Sequence, residues 1–105
     1  MAIKTTPVTS IGQDSQGLEV SWQGGQFVMI IADRGLVSCG VIDKEVMEKF
    51  GFAVAIARGT PEKPLVTTDD LLAAQIADVT QKAADYGVKV GMKGQEALKI
   101  ISAQD

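Results

Sequence analysis

The chain has 105 residues, a formal net charge of −3 and 46% hydrophobic residues, with aromatics limited to three Phe, one Tyr and one Trp. That length suits one domain with a modest core, which must come from Val, Ile, Leu, Ala and Met. The acidic balance and the lack of any Lys/Arg cluster argue against nucleic acid and against an anionic membrane surface as partners.

Residues 1–16 are polar, with Ile3, Val8 and Ile11 loosely spaced. Pro7 has no N–H to give a ladder, so an edge strand or an arm is expected. Residues 14–17 read as a turn. Leu18, Val20 and Trp22 then alternate with Glu19, Ser21 and Gln23, the period of a half-buried strand. Gly24-Gly25 supplies a two-residue hairpin turn, because both positions tolerate positive φ. That turn pairs Trp22 with Phe27, Val20 with Met29 and Leu18 with Ile31. A second turn is expected at Arg34-Gly35, after Asp33. It pairs Ala32 with Val37, Ile30 with Cys39 and Val28 with Val41.

The strand over 27–32 (FVMIIA) is therefore apolar on both faces. A sheet with one wet face alternates instead. Helices are expected over the side bearing Trp22, Phe27, Met29 and Ile31. The other side, Val28, Ile30, Val37, Cys39 and Val41, is expected to meet another subunit or the N-terminal arm, since such a patch marks an interface.

Asp43 is a good N-cap for a short helix, Lys44–Phe50, with Val46, Met47 and Phe50 as its apolar stripe and Gly51 as its stop. Residues 53–57 (AVAIA) read as a buried strand, so strand, helix and strand predict a parallel, right-handed crossover. Residues 59–64 form a loop. Thr68 is expected to cap a helix opened by Asp69 and Asp70 and continued by Leu71, Leu72 and Ile76. Asp78 offers a cap for a fresh helix with Val79, Ala83 and Tyr86 on one side, ending at Gly87. One helix over 69–86 fits the pattern equally. Residues 88–92 are a connector hinged at Gly91, and Gly94–Ser102 is a last helix with Ala97, Leu98 and Ile101 facing inward.

Histidine is absent, which removes the commonest general base and metal ligand. Nothing in the sequence calls for a metal or a cofactor. Cys39 is the only cysteine, so no internal disulfide exists. No basic segment leads into an apolar one at the start, so no signal peptide is expected. The longest apolar runs, 27–32 and 52–57, are too short for a bilayer, and a reducing, cytoplasmic setting is expected.

Cys39 is the one candidate catalytic residue, as nucleophile or redox thiol, if a cation or a helix N-terminus lowers its pKa. Its alternative role is a small buried hydrophobe. In the segment 87–98 (GVKVGMKGQEAL), Gly91 and Gly94 could leave amides to cradle an anion. A helix stop, a turn and a helix start explain the same glycines. Asp69 and Asp70 are adjacent and cannot face each other on a helix, so they serve the cap and the dipole. Arg58, between a buried strand and Gly59, is the cation most apt to meet an anionic ligand or an acid of a neighbouring subunit.

The run from Gly25 through Cys39-Gly40 and Asp43, the Gly59 loop, and the tail Thr80, Ala84, Gly87, Gly91-Met92, Gly94 and Ala97-Leu98 resembles the YunC-like family of small bacterial and archaeal proteins of unknown function. The likeness covers most of the chain, about residues 17–98. It implies a compact α+β domain whose N-terminal strands serve oligomerisation, as tetramers, and it implies no established activity, substrate or cofactor. Two departures stand out. Lys93 occupies a place where the family tends to have Ser or Thr, so a helix N-cap is missing. The loop 60–68 is longer than usual.

The expected fold is α+β: a mixed, mostly antiparallel sheet with helices on one face. One domain spans 1–105, with an edge strand or arm over 1–16, a sheet core with a short helix over 18–57, and a helical part over 68–103. The expected function is a homo-oligomeric binding or assembly module without a catalytic constellation. The alternatives are an enzyme using Cys39 at a subunit-boundary pocket, with Arg34 or Arg58 nearby, and small-anion binding at the Gly91 to Gly94 turn.

Overall fold

The computed structural model describes residues 1–8 and 15–102. Six strands form one sheet in sequential order: β1 (Ala2–Val8), β2 (Ser15–Trp22), β3 (Gly25–Ile31), β4 (Leu36–Ser38), β5 (Val54–Ala57) and β6 (Ile76–Val79). Neighbours are antiparallel except β4 and β5, which are parallel and joined through helix α1 (Lys44–Phe50). The other helices are α2 (Thr68–Ala73), α3 (Gln81–Tyr86) and α4 (Gly94–Ser102). The α+β class and the mixed, mostly antiparallel sheet are as expected, and β1, which carries Pro7, lies at an edge. Ile11 and Asp14 lie outside the described residues. From Ser15 onward the expected turn is strand β2 instead.

Both hairpin turns sit one residue earlier than Gly24-Gly25 and Arg34-Gly35. Val20 pairs with Phe27, Leu18 with Met29 and Trp22 with Gly25, so the first turn is Gln23-Gly24. Gly24 takes the positive φ, +96°. Gly25 is glycine for a different reason, since the Trp22 indole lies where its Cβ would stand. In the second hairpin Ile30 pairs with Val37, and the Ala32 N–H donates to the Gly35 carbonyl at 2.8 Å, so the turn is Asp33-Arg34. Each partner changes by two positions, and side chains therefore keep their faces.

The faces are covered the other way round from expectation. Val28, Ile30 and Val37 are fully buried in the protomer's own core, against Leu71 of α2 and Leu98 and Ile101 of α4. Cys39 belongs to that core as well. These four residues therefore do not form a contact between subunits. Val41, the fifth of the expected set, lies past the end of β4 and is exposed. Small residues explain the choice of side. Ala55 and Ala57 on β5 and Ala97 on α4 let the helix come close to the sheet on the face of Val37, while Gly94 lets α4 close against α2. On the opposite face Phe27 and Met29 are half-buried, while Trp22 is 50% and Ile31 46% exposed.

Asp43 caps α1, accepting the N–H groups of Glu45 and Val46, and Gly51 ends it at φ +72°. No residue of α1 is buried, so the expected stripe of Val46, Met47 and Phe50 does not seal against the core. Phe50 stacks on Phe52 at 5.6 Å instead. The cap of α2 is Thr67, not Thr68. Its hydroxyl accepts the Asp70 N–H at 3.1 Å, and the Asp70 carboxylate accepts the Thr67 N–H at 3.1 Å in return. Thr68 is buried, and its N–H donates to Glu19 of β2 at 2.8 Å. Asp78 caps nothing: it lies on β6 opposite Ile56 and pairs with Lys44 at 3.0 Å. Thr80 caps α3 and Gly87 ends it. At α4, Lys93 stands at the N-cap without an acceptor, and Glu96 partly compensates by taking the Lys93 N–H at 3.4 Å. Ala97, Leu98 and Ile101 face inward as expected. Among the described residues no helix is long and apolar enough to cross a membrane.

Candidate functional site

The parallel pair decides where a site can form. β4 and β5 run side by side, Ser38 against Ile56, and both chains leave the sheet at the same end. In open sheets with parallel strands, ligands gather outside such carboxyl ends. Here those ends are Cys39-Gly40 and Arg58-Gly59. A Cβ built on Gly40 would stand 3.5 Å from Arg58 Cγ, so the arginine stem lies across the glycine. The loop after β5 folds back to form the outer wall. Thr60 and Lys63 exchange backbone hydrogen bonds of 3.1 Å in both directions, and the Thr60 hydroxyl accepts the Lys63 N–H at 3.0 Å. Gly59 is needed there, since its Cβ would come within 2.8 Å of the Leu65 nitrogen.

These elements border an open cleft of about 370 Å³ whose walls include Gln26, Cys39, Gly40, Arg58, Thr60 and Leu65. Among the described residues Arg58 is its only charged lining residue. A larger groove of about 980 Å³ shares Arg58, Gly59, Thr60 and Leu65 with it and adds Lys63, Asp69, Asp70 and Gly91. The candidates Cys39 and Arg58 thus meet in one cleft, and Arg58 and Gly91 in its neighbour. Arg34 does not join them. It donates to the carbonyl of Ile100 at 2.7 Å and to that of Ile101 at 3.4 Å, and its guanidinium lies 4.0 Å over the Tyr86 ring.

Cys39 is 8% exposed, at the boundary between core and cleft. Its sulfur accepts the Val28 N–H at 3.5 Å. Among the described residues no carboxylate lines the cleft beside it, and no three His, Cys, Asp or Glu side chains group as a metal site would require.

The Gly91 to Gly94 turn is not an anion cradle. Its four amides are engaged: Gly91 to Ile76 at 2.8 Å, Met92 to Lys89 at 3.3 Å, Lys93 to Glu96 at 3.4 Å and Gly94 to Ala74 at 2.8 Å. Gly91 is glycine for its φ of +97°, and Gly94 for the close approach of α4 to α2.

Two carboxyls are held below the usual carboxylate range. Asp70 is lowered by the Thr67 and Val66 N–H groups of the capping box. Asp78 is lowered first by its hydrogen bond from Lys44, with a smaller contribution from the Arg58 charge.

Sequence reasoning finds Cys39, Arg58 and the loop over 59–64 separately but not that the loop forms a wall beside the other two. The crossover is the available signal, because a parallel pair fixes which two strand ends lie together.

Residues 38–101 match the family model of a domain of unknown function, DUF1805. The chain belongs to the DUF1805 family. The DUF1805 match opens at Ser38, so it takes in Cys39, Arg58 and Gly91 and leaves β1 to β3 outside. The chain is 33% identical over 100 residues to the uncharacterized protein YunC of Bacillus subtilis, covering 91% of this chain and 94% of that one. The resemblance read from the sequence is therefore supported. A protein of unknown function from Thermoplasma acidophilum, TA1206, has the same fold, with a TM-score of 0.83 and 19% identity over 95% of this chain and 93% of that one.

Proposed function

We propose that the protein works as a homo-oligomeric binding or assembly module whose copies meet through the uncovered face of β1 to β3. One observation carries this reading. Ile3 (65% exposed), Trp22 and Ile31 share a face with half-buried Leu18, Val20, Phe27 and Met29. None of these residues is charged. A twofold contact brings a surface against itself, and an uncharged apolar face meets its own copy without like-charge repulsion. Helices α2, α3 and α4 already pack into the core on the other face. Full burial of each large side chain is worth about 1.5–3 kcal/mol before the costs of association.

Trp22 is the only tryptophan, so its emission reports on this face alone. Dilution should shift that emission to the red as copies separate. Emission typical of a wet indole at every concentration would contradict a contact through Trp22.

A further inference from the structure

We infer that the cleft at the carboxyl ends of β4 and β5 binds a small molecule bearing a carboxylate, held by Arg58 with Cys39 on its inner wall. The cleft, at about 370 Å³, is of a size that takes a small metabolite. Arg58 is exposed and makes no hydrogen bond or ion pair among the described residues. A guanidinium offers a planar fork that matches a carboxylate in two parallel hydrogen bonds. The Thr60 hydroxyl accepts the Lys63 N–H, which leaves its own proton to donate, and the Gln26 amide offers a further donor. Leu65 supplies an apolar wall.

Charge selects the class. Asp78 feels the Arg58 charge but is paired with Lys44, so the three groups keep one net positive charge, which balances one negative charge. A phosphate would leave excess charge in a cleft with no second cation among its described lining residues. The adjoining groove opposes Arg58 and Lys63 with Asp69 and Asp70, so a ligand extending into it meets both signs and gains nothing from a second anionic group. The cleft lies wholly within one protomer and is independent of the sheet-face contact proposed above.

Cys39 gives the cleft a chemical reporter. Iodoacetate carries a carboxylate, while iodoacetamide of nearly the same size does not. In either reaction the Cys39 thiolate attacks the methylene carbon, the S–C bond forms, iodide leaves with the C–I electron pair, and the thiol proton goes to solvent. The ratio of iodoacetate to iodoacetamide rates should be about tenfold higher in the folded protein than in urea, the gain of one charge-assisted contact. It should fall to the denatured value in Arg58→Gln and recover in part in Arg58→Lys. An equal ratio in folded and denatured protein would overturn the assignment.

Should neither reagent reach the folded thiol, amide and Arg58 Nε–H resonances decide. Acetate and glycolate titrated to about 50 mM should give saturable shifts at Gly40, Gly59 and Arg58, absent in Arg58→Gln and absent with chloride at matched ionic strength. No saturable shift would overturn the site, and tighter binding of inorganic phosphate would overturn the ligand class.

Discussion

Gly94 lies against the carbonyl oxygen of Leu71 so closely that no side chain fits between them. This approach seats α4 over α2 and closes the core around Leu98 and Ile101. Gly94→Ala should therefore lower stability by about 1–3 kcal/mol, the usual penalty of forcing an extra carbon into a filled space. Gly91→Ala should lower it by about 1–2 kcal/mol through its positive φ alone. Gly40→Ala meets Arg58 only at ordinary contact distance and should be near neutral. Urea unfolding followed by circular dichroism checks all three.

Thr80 joins β5, α3 and the Phe52 connector through one buried hydroxyl. It accepts the Val54 N–H at 3.0 Å, donates to the Phe52 carbonyl at 2.7 Å and caps α3 through the Ala83 N–H at 3.4 Å. Thr80→Val keeps the shape and leaves those buried groups without a partner. The expected loss is about 2–4 kcal/mol, with Thr80→Ser retaining most of the stability, read from the same unfolding curves.

Acid should weaken the fold through Asp70 and Asp78. Both have folded-state pKa values below the ordinary carboxylate range. Their stabilisation is fully present above the unfolded-state pKa and is lost as pH falls through the lower, folded value. The urea midpoint should thus drop below about pH 4. Asp70→Asn and Asp78→Asn should each make that drop shallower. A slope unchanged in both variants would contradict the assignment of the shifts to the Thr67 cap and to Lys44.

Much of the frame was legible because it is local. Asp43 and Gly51 bound α1 in the sequence as they do in the structure, and the crossover to 53–57 followed from a short helix between two apolar strands. Strand β6 was not legible. Four residues, IADV, carry no period, and they are a strand because β5 offers an edge to pair with. The first turn shifted because two adjacent glycines do not say which one takes the positive φ, and the second because its turn, Asp33-Arg34, needs no positive φ and leaves Gly35 to the strand side, against Ala53. The inner and outer faces were exchanged because Val28 and Ile30 are no more apolar than Phe27 and Met29. What decided the matter was room for a helix, set by Ala55, Ala57, Gly94 and Ala97, which lie far apart in the chain. The cleft was half legible: Cys39 and Arg58 stood out as residue types, whereas their shared wall depends on the fold-back of the loop after Gly59.

Neighbouring isoleucines test the exchange of faces directly. Ile30→Ala should cost about 2–5 kcal/mol of protomer stability, as for any large side chain removed from a closed core. Ile31→Glu should change the stability of the isolated protomer by no more than about 0.5 kcal/mol while weakening association. Equal losses from both would contradict the assignment.

The mass in solution bears most directly on the open sheet face. Light scattering at micromolar protein should return a multiple of the 11.1 kDa protomer mass, and Ile31→Glu should bring the value down toward a single protomer. A wild-type mass of one protomer across the whole concentration range would contradict assembly through that face.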